Sequence, residues 1–189
     1  MSEDLRAADH RSDGPDPDLA RDVARALRTI RDFPEPGVVF KDFTPLLLDV
    51  PLRDRVVADV VARRGSGVDL VIGIEARGFI LGSVIAHGLG TGFVPVRKAG
   101  KLPSTTHAVS YSLEYGEATI EVHQDAIPAG ARVLIVDDVL ATGGTAAAAV
   151  ELVRRTQGEV VALEVILEIG FLQGRSRLTG TTVHALLTD

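Results

Sequence analysis

Two short apolar runs, Asp69-Leu-Val-Ile-Gly-Ile74 and Arg132-Val-Leu-Ile-Val136, narrow the folds open to this chain more than any other feature. Neither alternates apolar with polar residues, so each reads as a strand buried on both faces, the situation of a parallel sheet covered by helices. A helical pattern follows each: one runs to about His87, the other spans Gly144–Thr156 through Ala146–Ala149. Further strands are expected near Phe93–Val96, Ala118–His123, Val160–Ile169 and Thr182–Leu187. The order strand–helix–strand, excursion, strand–helix–strand predicts an α/β fold with a doubly wound, mostly parallel sheet.

The flanking segments are of a different kind. Residues 1–17 are polar and acidic and carry Gly14, Pro15 and Pro17, which predicts a disordered tail ahead of a single domain over residues 18–189. Asp18 is placed to cap a helix bearing Leu19, Val23, Ala26, Leu27 and Ile30. Phe33–Asp49 reads as irregular, interrupted by Pro34, Pro36, Gly37 and Pro45. Pro51 suits the first turn of a helix whose apolar face is Val56, Val57, Val60 and Val61 and which ends near Gly65. Residues 97–117 form a polar excursion with Gly100, Pro103 and Gly116, too long for a simple connection and of the kind that serves as a lid.

Composition removes several classes of function. With no cysteine, disulfides, thiolate catalysis and Cys-ligated metal centres are excluded. His10, His87, His107, His123 and His184 are scattered without metal-ligand spacing, so a zinc site built by the protein is not expected. A net charge of −6 opposes a general nucleic-acid or acidic-membrane surface. The acidic first 18 residues are followed by no apolar run, so a secretory signal is not expected. Gly78–Val96 lacks charged residues and is long enough to span a bilayer, but its glycines and Pro95 read as a buried helix, a turn and a strand. A cytoplasmic protein is the expectation, and this apolar stretch with the basic run behind it suggests a homodimer.

Ligands of doubly wound sheets bind beyond the carboxyl ends of the strands. One such end carries Asp137 and Asp138, then Val139-Leu-Ala-Thr-Gly-Gly-Thr145 opening a helix. Gly143 and Gly144 let the backbone approach an oxyanion, the helix start offers free N–H groups, and Thr142 and Thr145 add hydroxyls. The carboxylates can accept hydrogen bonds from sugar hydroxyls beside a phosphate, so the segment describes a site for ribose 5-phosphate. No lysine follows the glycine pair, which excludes a Walker A loop, and Gly88-x-Gly90 precedes a strand, which excludes a dinucleotide fingerprint. The other strand end is Glu75-Ala-Arg-Gly78, where Arg77 offers a forked donor for phosphate oxygens, although a lone arginine is more often a surface ion-pair partner. Arg97, Lys98 and Lys101 cluster cations that would otherwise read as a solvated charge run.

Val133–Thr145 resembles the phosphoribosyl-pyrophosphate (PRPP) motif of the type I phosphoribosyltransferase family. Phe33-Pro-Glu-Pro-Gly-Val-Val-Phe-Lys-Asp42, Gly73–Phe79 with Val96–Pro103, and Tyr111-Ser-Leu-Glu-Tyr-Gly116 resemble, in order, the members that act on adenine. The resemblance covers roughly residues 19–180. It implies transfer of ribose 5-phosphate from PRPP to adenine, giving AMP and pyrophosphate, on a core with an N-terminal hood (about 33–49) and a flexible lid loop (about 97–117). By the same resemblance Asp137, Asp138, Ala141, Thr142, Gly143, Gly144 and Thr145 bind the ribose 5-phosphate. Glu75, Ala76, Arg77, Arg97 and Lys101 bind the pyrophosphate, the last two across a dimer interface. Phe40 stacks on adenine while Val39 and Lys41 read it through main-chain groups, and Glu114, with Tyr115, covers the reacting centre and manages the proton lost from the base. Magnesium arrives with PRPP and takes no protein side chain. Ala141 argues against a 6-oxopurine, since related enzymes for those bases carry Asp there. A transferase for another base, xanthine or orotate, and a non-catalytic PRPP-sensing regulator remain as alternatives.

Overall fold

In a computed structural model of the chain, the described residues are 16–112 and 116–189. Helix α1 (Pro17–Ala26) begins two residues earlier than the Asp18 cap would have it: Asp16 is the cap, its carboxylate accepting from the N–H groups of Asp18 and Leu19, and Pro17 supplies the first turn. Residues 16 and 17 of the expected tail thus belong to this helix and its cap, and residues 1–15 lie outside the described residues. Ile30 does not continue this helix. It belongs to β1 (Arg28–Arg31), which pairs antiparallel with β2 (Val39–Asp42), so the segment expected to be irregular holds a strand and, after it, a short helix α2 (Thr44–Leu48). The prolines restrict where that strand begins without preventing it. Helix α3 (Val50–Arg64) is capped by Asp49 and stops at Gly65.

The main sheet is built from β3 (Leu70–Ile74), β4 (Gly92–Lys98), β5 (Thr106–Ser112), β6 (Glu117–His123), β7 (Arg132–Leu140), β8 (Glu159–Glu168) and β9 (Val183–Thr188), in the order β5-β6-β4-β3-β7-β8-β9. The run from β4 to β9 is parallel, while β6 joins β4 antiparallel and pairs with β5 as a hairpin. Thus β5 occupies much of the excursion expected as a loop. His107-Ala-Val-Ser-Tyr111 alternates in exposure, with Val109 buried, which is the pattern of a half-covered strand. Helix α4 (Arg77–Leu89) links β3 to β4, and α5 (Gly144–Arg155) links β7 to β8.

The alternation of side chains across each strand divides the core between the two faces. Ile72, Ile74, Val133, Ile135, Leu163 and Val165 pack with α5. Val71, Leu134, Val136, Ala162 and Ile166 pack with α1, α3 and α4. One charged residue stands in the second row: Glu164, 3% exposed, accepts from Arg63 Nη2 at 3.1 Å and Arg64 Nε at 2.7 Å on α3, with His184 Nδ1 3.1 Å away. Burial opposes its charge, but His184 and the two arginines outweigh that and hold its carboxyl below the usual range.

Gly78–Val96 forms the buried helix, turn and strand expected of it, so the apolar stretch taken as a sign of a homodimer is largely consumed by this core. Leu81, Ile85, Ala86 and Val96 are buried, and Ile80 is the exposed large apolar residue of the segment.

Candidate active site

From β3 the chain crosses by α4 to one side of the sheet, and from β7 by α5 to the other. The crevice between the carboxyl ends of β3 and β7 is therefore the switch point of the sheet, where such folds bind ligands. Three groups of residues meet along this edge.

The first is the glycine-rich cradle at the start of α5. Strand β7 runs four residues beyond its expected end at Val136, so Asp137 and Asp138 stand inside the strand, with Asp137 Oδ1 accepting from Asp138 N at 2.9 Å. Asp137 lines a small cavity with Val139–Ala146, about 90 Å³. Gly143 caps α5 at φ +80°, a conformation L side chains rarely adopt, and no side chain bonds the first N–H groups of the helix. Those groups and the positive end of α5 are disposed to hold an anion. Gly174, which the sequence did not single out, braces this loop: a methyl group at Gly174 would overlap Ala141 O, and one at Gly143 would overlap Gly174 O. Tyr111, at the end of β5, accepts a hydrogen bond from Thr145 Oγ1 at 2.9 Å, which brings the hairpin against the cradle. Glu114 and Tyr115 lie outside the described residues.

The second group surrounds Arg77. Its Nε lies 2.9 Å from Asp138 Oδ2, an ion pair not aligned as a hydrogen bond, and Oδ2 is buried with no other partner. Burial raises the carboxyl of Asp138, and Arg77 counters it. Burial raises Asp137 well above its usual range, reinforced by the charge of Asp138. The guanidinium carbon of Arg77 also sits 5.1 Å from the ring centre of Phe40 and 5.8 Å from that of Phe43. Beside Arg77, the Glu75 carboxylate accepts from Lys98 N at 3.0 Å and Arg97 Nε at 3.3 Å. Burial works against its charge, but Lys98 N–H and the cation of Arg97 hold the carboxyl below the usual range. Any part Glu75 has in binding an anion thus falls to its backbone. Arg97 Nη1 donates to Lys101 O, and Glu121, 6% exposed, accepts from Lys101 N, Leu102 N and Thr106 Oγ1. Glu121 is a second residue the sequence reading missed. Its signal was a carboxylate between two buried neighbours, Ile120 and Val122.

The third group is an apolar cleft of about 710 Å³, within the range of small-molecule sites. The hood forms one wall with Val38–Lys41, where Phe40 meets Phe33 edge to face at 5.2 Å. The other wall is Val139, Leu167, Ile169, Phe171 and Leu172. Strand β2 is bonded to β1 along one edge, leaving the other for a ligand. Arg77 lines the cleft and pairs with Asp138, so it joins the apolar cleft to the aspartate pair.

A family model described as phosphoribosyl transferase domain matches residues 52–177, the stretch from α3 through the cradle to Gly174 and its neighbours. The chain belongs to the phosphoribosyltransferase family. Within it, this phosphoribosyltransferase is 57% identical over 173 residues to the adenine phosphoribosyltransferase of Thermobifida fusca, covering 90% of this chain and 98% of that one. Among solved structures, the adenine phosphoribosyltransferase of Rhodothermus marinus superimposes with a TM-score of 0.87 at 49% identity, over 92% of this chain and 100% of that one. That of Saccharomyces cerevisiae, complexed with adenine and an imino-altritol bisphosphate, gives 0.86 at 39% identity, over 90% and 99%.

Proposed function

We propose that this phosphoribosyltransferase is a purine salvage enzyme that transfers 5-phosphoribosyl from PRPP to adenine, giving AMP and pyrophosphate. The observation that carries the reading is the adjacency of a flat apolar cleft to an anion cradle, with the Asp137–Asp138 pair and Arg77 between them. That spacing suits a base, a ribose and a phosphate in sequence.

In this reading Ala141–Thr145 hold the 5-phosphate on backbone N–H groups and threonine hydroxyls. Asp137 and Asp138 accept the ribose hydroxyls and stabilise the positive charge that develops as the ribose–pyrophosphate C–O bond breaks. Arg77, Arg97, Lys101 and the backbone of Glu75-Ala76 receive the departing pyrophosphate with its electron pair. Adenine lies on Phe40, with main-chain groups of Val39 and Lys41 matching its amino donor and ring-nitrogen acceptor. The new bond joins a ring nitrogen to the ribose carbon, and the proton leaving that nitrogen goes to Glu114, with Tyr115 excluding water from PRPP.

Among the described residues no group of three or more His, Cys, Asp or Glu side chains is placed to hold a metal ion. The chemistry of the site fits magnesium that would come with PRPP, with Asp137 and Asp138 the carboxylates available to it, and it would offset the charge of the pyrophosphate. No described helix is long and apolar enough to cross a membrane, and we place the enzyme in the cytoplasm. Leu48, Val50 and Ile80 are exposed on α2, α3 and α4, which pack together, and we assign this face to a homodimer.

Incubation with PRPP, magnesium and each nucleobase in turn tests the reading. Adenine yields AMP. Guanine or hypoxanthine turned over as efficiently would overturn the base assignment.

A further inference from the structure

Phe171 is 79% exposed, the most exposed of the large apolar side chains described. Its surroundings are anything but loose. It stands on a single helical turn, Gly170–Leu172, that directly follows β8. Gly170 N donates to Asp189 O at 3.0 Å, Leu172 N to Ile169 O at 3.1 Å and Gln173 N to Gly170 O at 3.1 Å. The backbone is thus fastened before and after the ring, while the ring itself reaches the base cleft on the wall facing the hood. An exposed phenyl held on a fixed turn at the rim of an apolar cleft gains by covering a flat ligand.

We propose that Phe171 is a positioning residue for the base: it covers the heterocycle bound against Phe40 and so helps to set affinity for adenine. The proposal rests on the reading of this cleft as the adenine site. The wall it completes is apolar at Leu167, Ile169, Phe171 and Leu172, with Asp189 at the cleft as well, so these four residues hold the base by contact and the β2 edge supplies main-chain hydrogen bonds.

Aromatic contact with a nucleobase is worth roughly 5- to 150-fold in affinity by alanine substitution. Phe171→Ala should therefore raise KM for adenine by about tenfold or more, with KM for PRPP unchanged, and Phe171→Leu should recover part of the loss. A second readout is independent of turnover. The chain contains no tryptophan, so Phe171→Trp places a lone tryptophan at the rim, excited selectively over the two tyrosines. Its emission should shift saturably with AMP, which carries the base, and stay unmoved by ribose 5-phosphate, which lacks it. Phe40→Trp serves as the companion probe on the opposite wall. If Phe40→Trp responds to AMP while Phe171→Trp is silent, the cleft reading stands and the role of Phe171 is overturned. If both are silent while AMP still inhibits the reaction, the base lies elsewhere and both fall. A response of Phe171→Trp to ribose 5-phosphate equal to its response to AMP also overturns the proposal.

Discussion

Asp137 shows how a residue that is costly to the fold can serve the proposed site. Its carboxyl is raised by burial first and by Asp138 second, so the folded protein holds that proton more tightly than the unfolded chain does. A raised carboxyl stabilises the fold while protonated, and its contribution is lost as pH rises and the buried charge forms. Asp137→Asn, which cannot ionise, should therefore raise the melting temperature more at pH 8 than at pH 5. The gain at pH 8 should be a few degrees, taking about 2–4 °C per kcal/mol for a chain of this size. The same variant should weaken PRPP binding by about tenfold, since an amide accepts sugar hydroxyls less strongly than a carboxylate. Calorimetric melts at the two pH values and PRPP titrations measure both. At Gly174 the effect runs the other way. Gly174→Ala forces a methyl group onto Ala141 O and close to Gly143 N, so PRPP affinity should fall at least tenfold while adenine binding changes little, which steady-state KM values for the two substrates will separate.

At the scale of elements, α3 is attached to the sheet through a charge as well as through its valines. Arg63 and Arg64 reach Glu164 from the last turn of α3. Removing one partner of a buried ion pair typically costs about 3–5 kcal/mol, because the opposite charges stay buried and unanswered. Glu164→Leu should then lower the melting temperature by roughly 10 °C on the scale above, with kcat/KM unaffected below the new transition. What could be read from the sequence divides along the same line. The parallel strands, α4, α5 and the cradle were legible because their signals are local: unbroken apolar runs, then glycines at a helix start. The hood strands were not, because Leu27 and Ile30 continue a helical spacing although the helix ends at Ala26, and a two-stranded ribbon is set by its partner. The Tyr111–Thr145 bond, the Gly143–Gly174 contact and the clamp on Glu164 join residues far apart in the chain, and no period in the sequence reports them. Arg77 could be singled out from its place at a strand end, but its pairing with Asp138 and Phe40 emerges only when β3, β7 and the hood are side by side.

For the whole molecule, the assigned dimer is the main consequence still open to measurement. Leu48 is 77% exposed and Ile80 46%, on elements that carry the Arg77 loop and the helix behind the hood. Light scattering should give twice the 20.0 kDa of the chain. Ile80→Glu, which buries a charge at that face, should shift the protein to monomer and cut activity at least tenfold, because Arg97 and Lys101 are taken to act with the partner copy. A fully active monomer would overturn the assembly.

The brace at Gly174 also sets terms for anyone who would alter this scaffold to accept a different base. Ile169, Phe171 and Leu172 line the apolar cleft, and Gly174, two residues on, presses against the Ala141–Gly143 loop. In the proposed reading, base recognition and phosphate register are therefore tied by one short length of chain. Point substitutions can retune the cleft wall, but an inserted or deleted residue between Ile169 and Gly174 would move the brace as it moves the wall, so libraries for new specificity should vary side chains there at constant length.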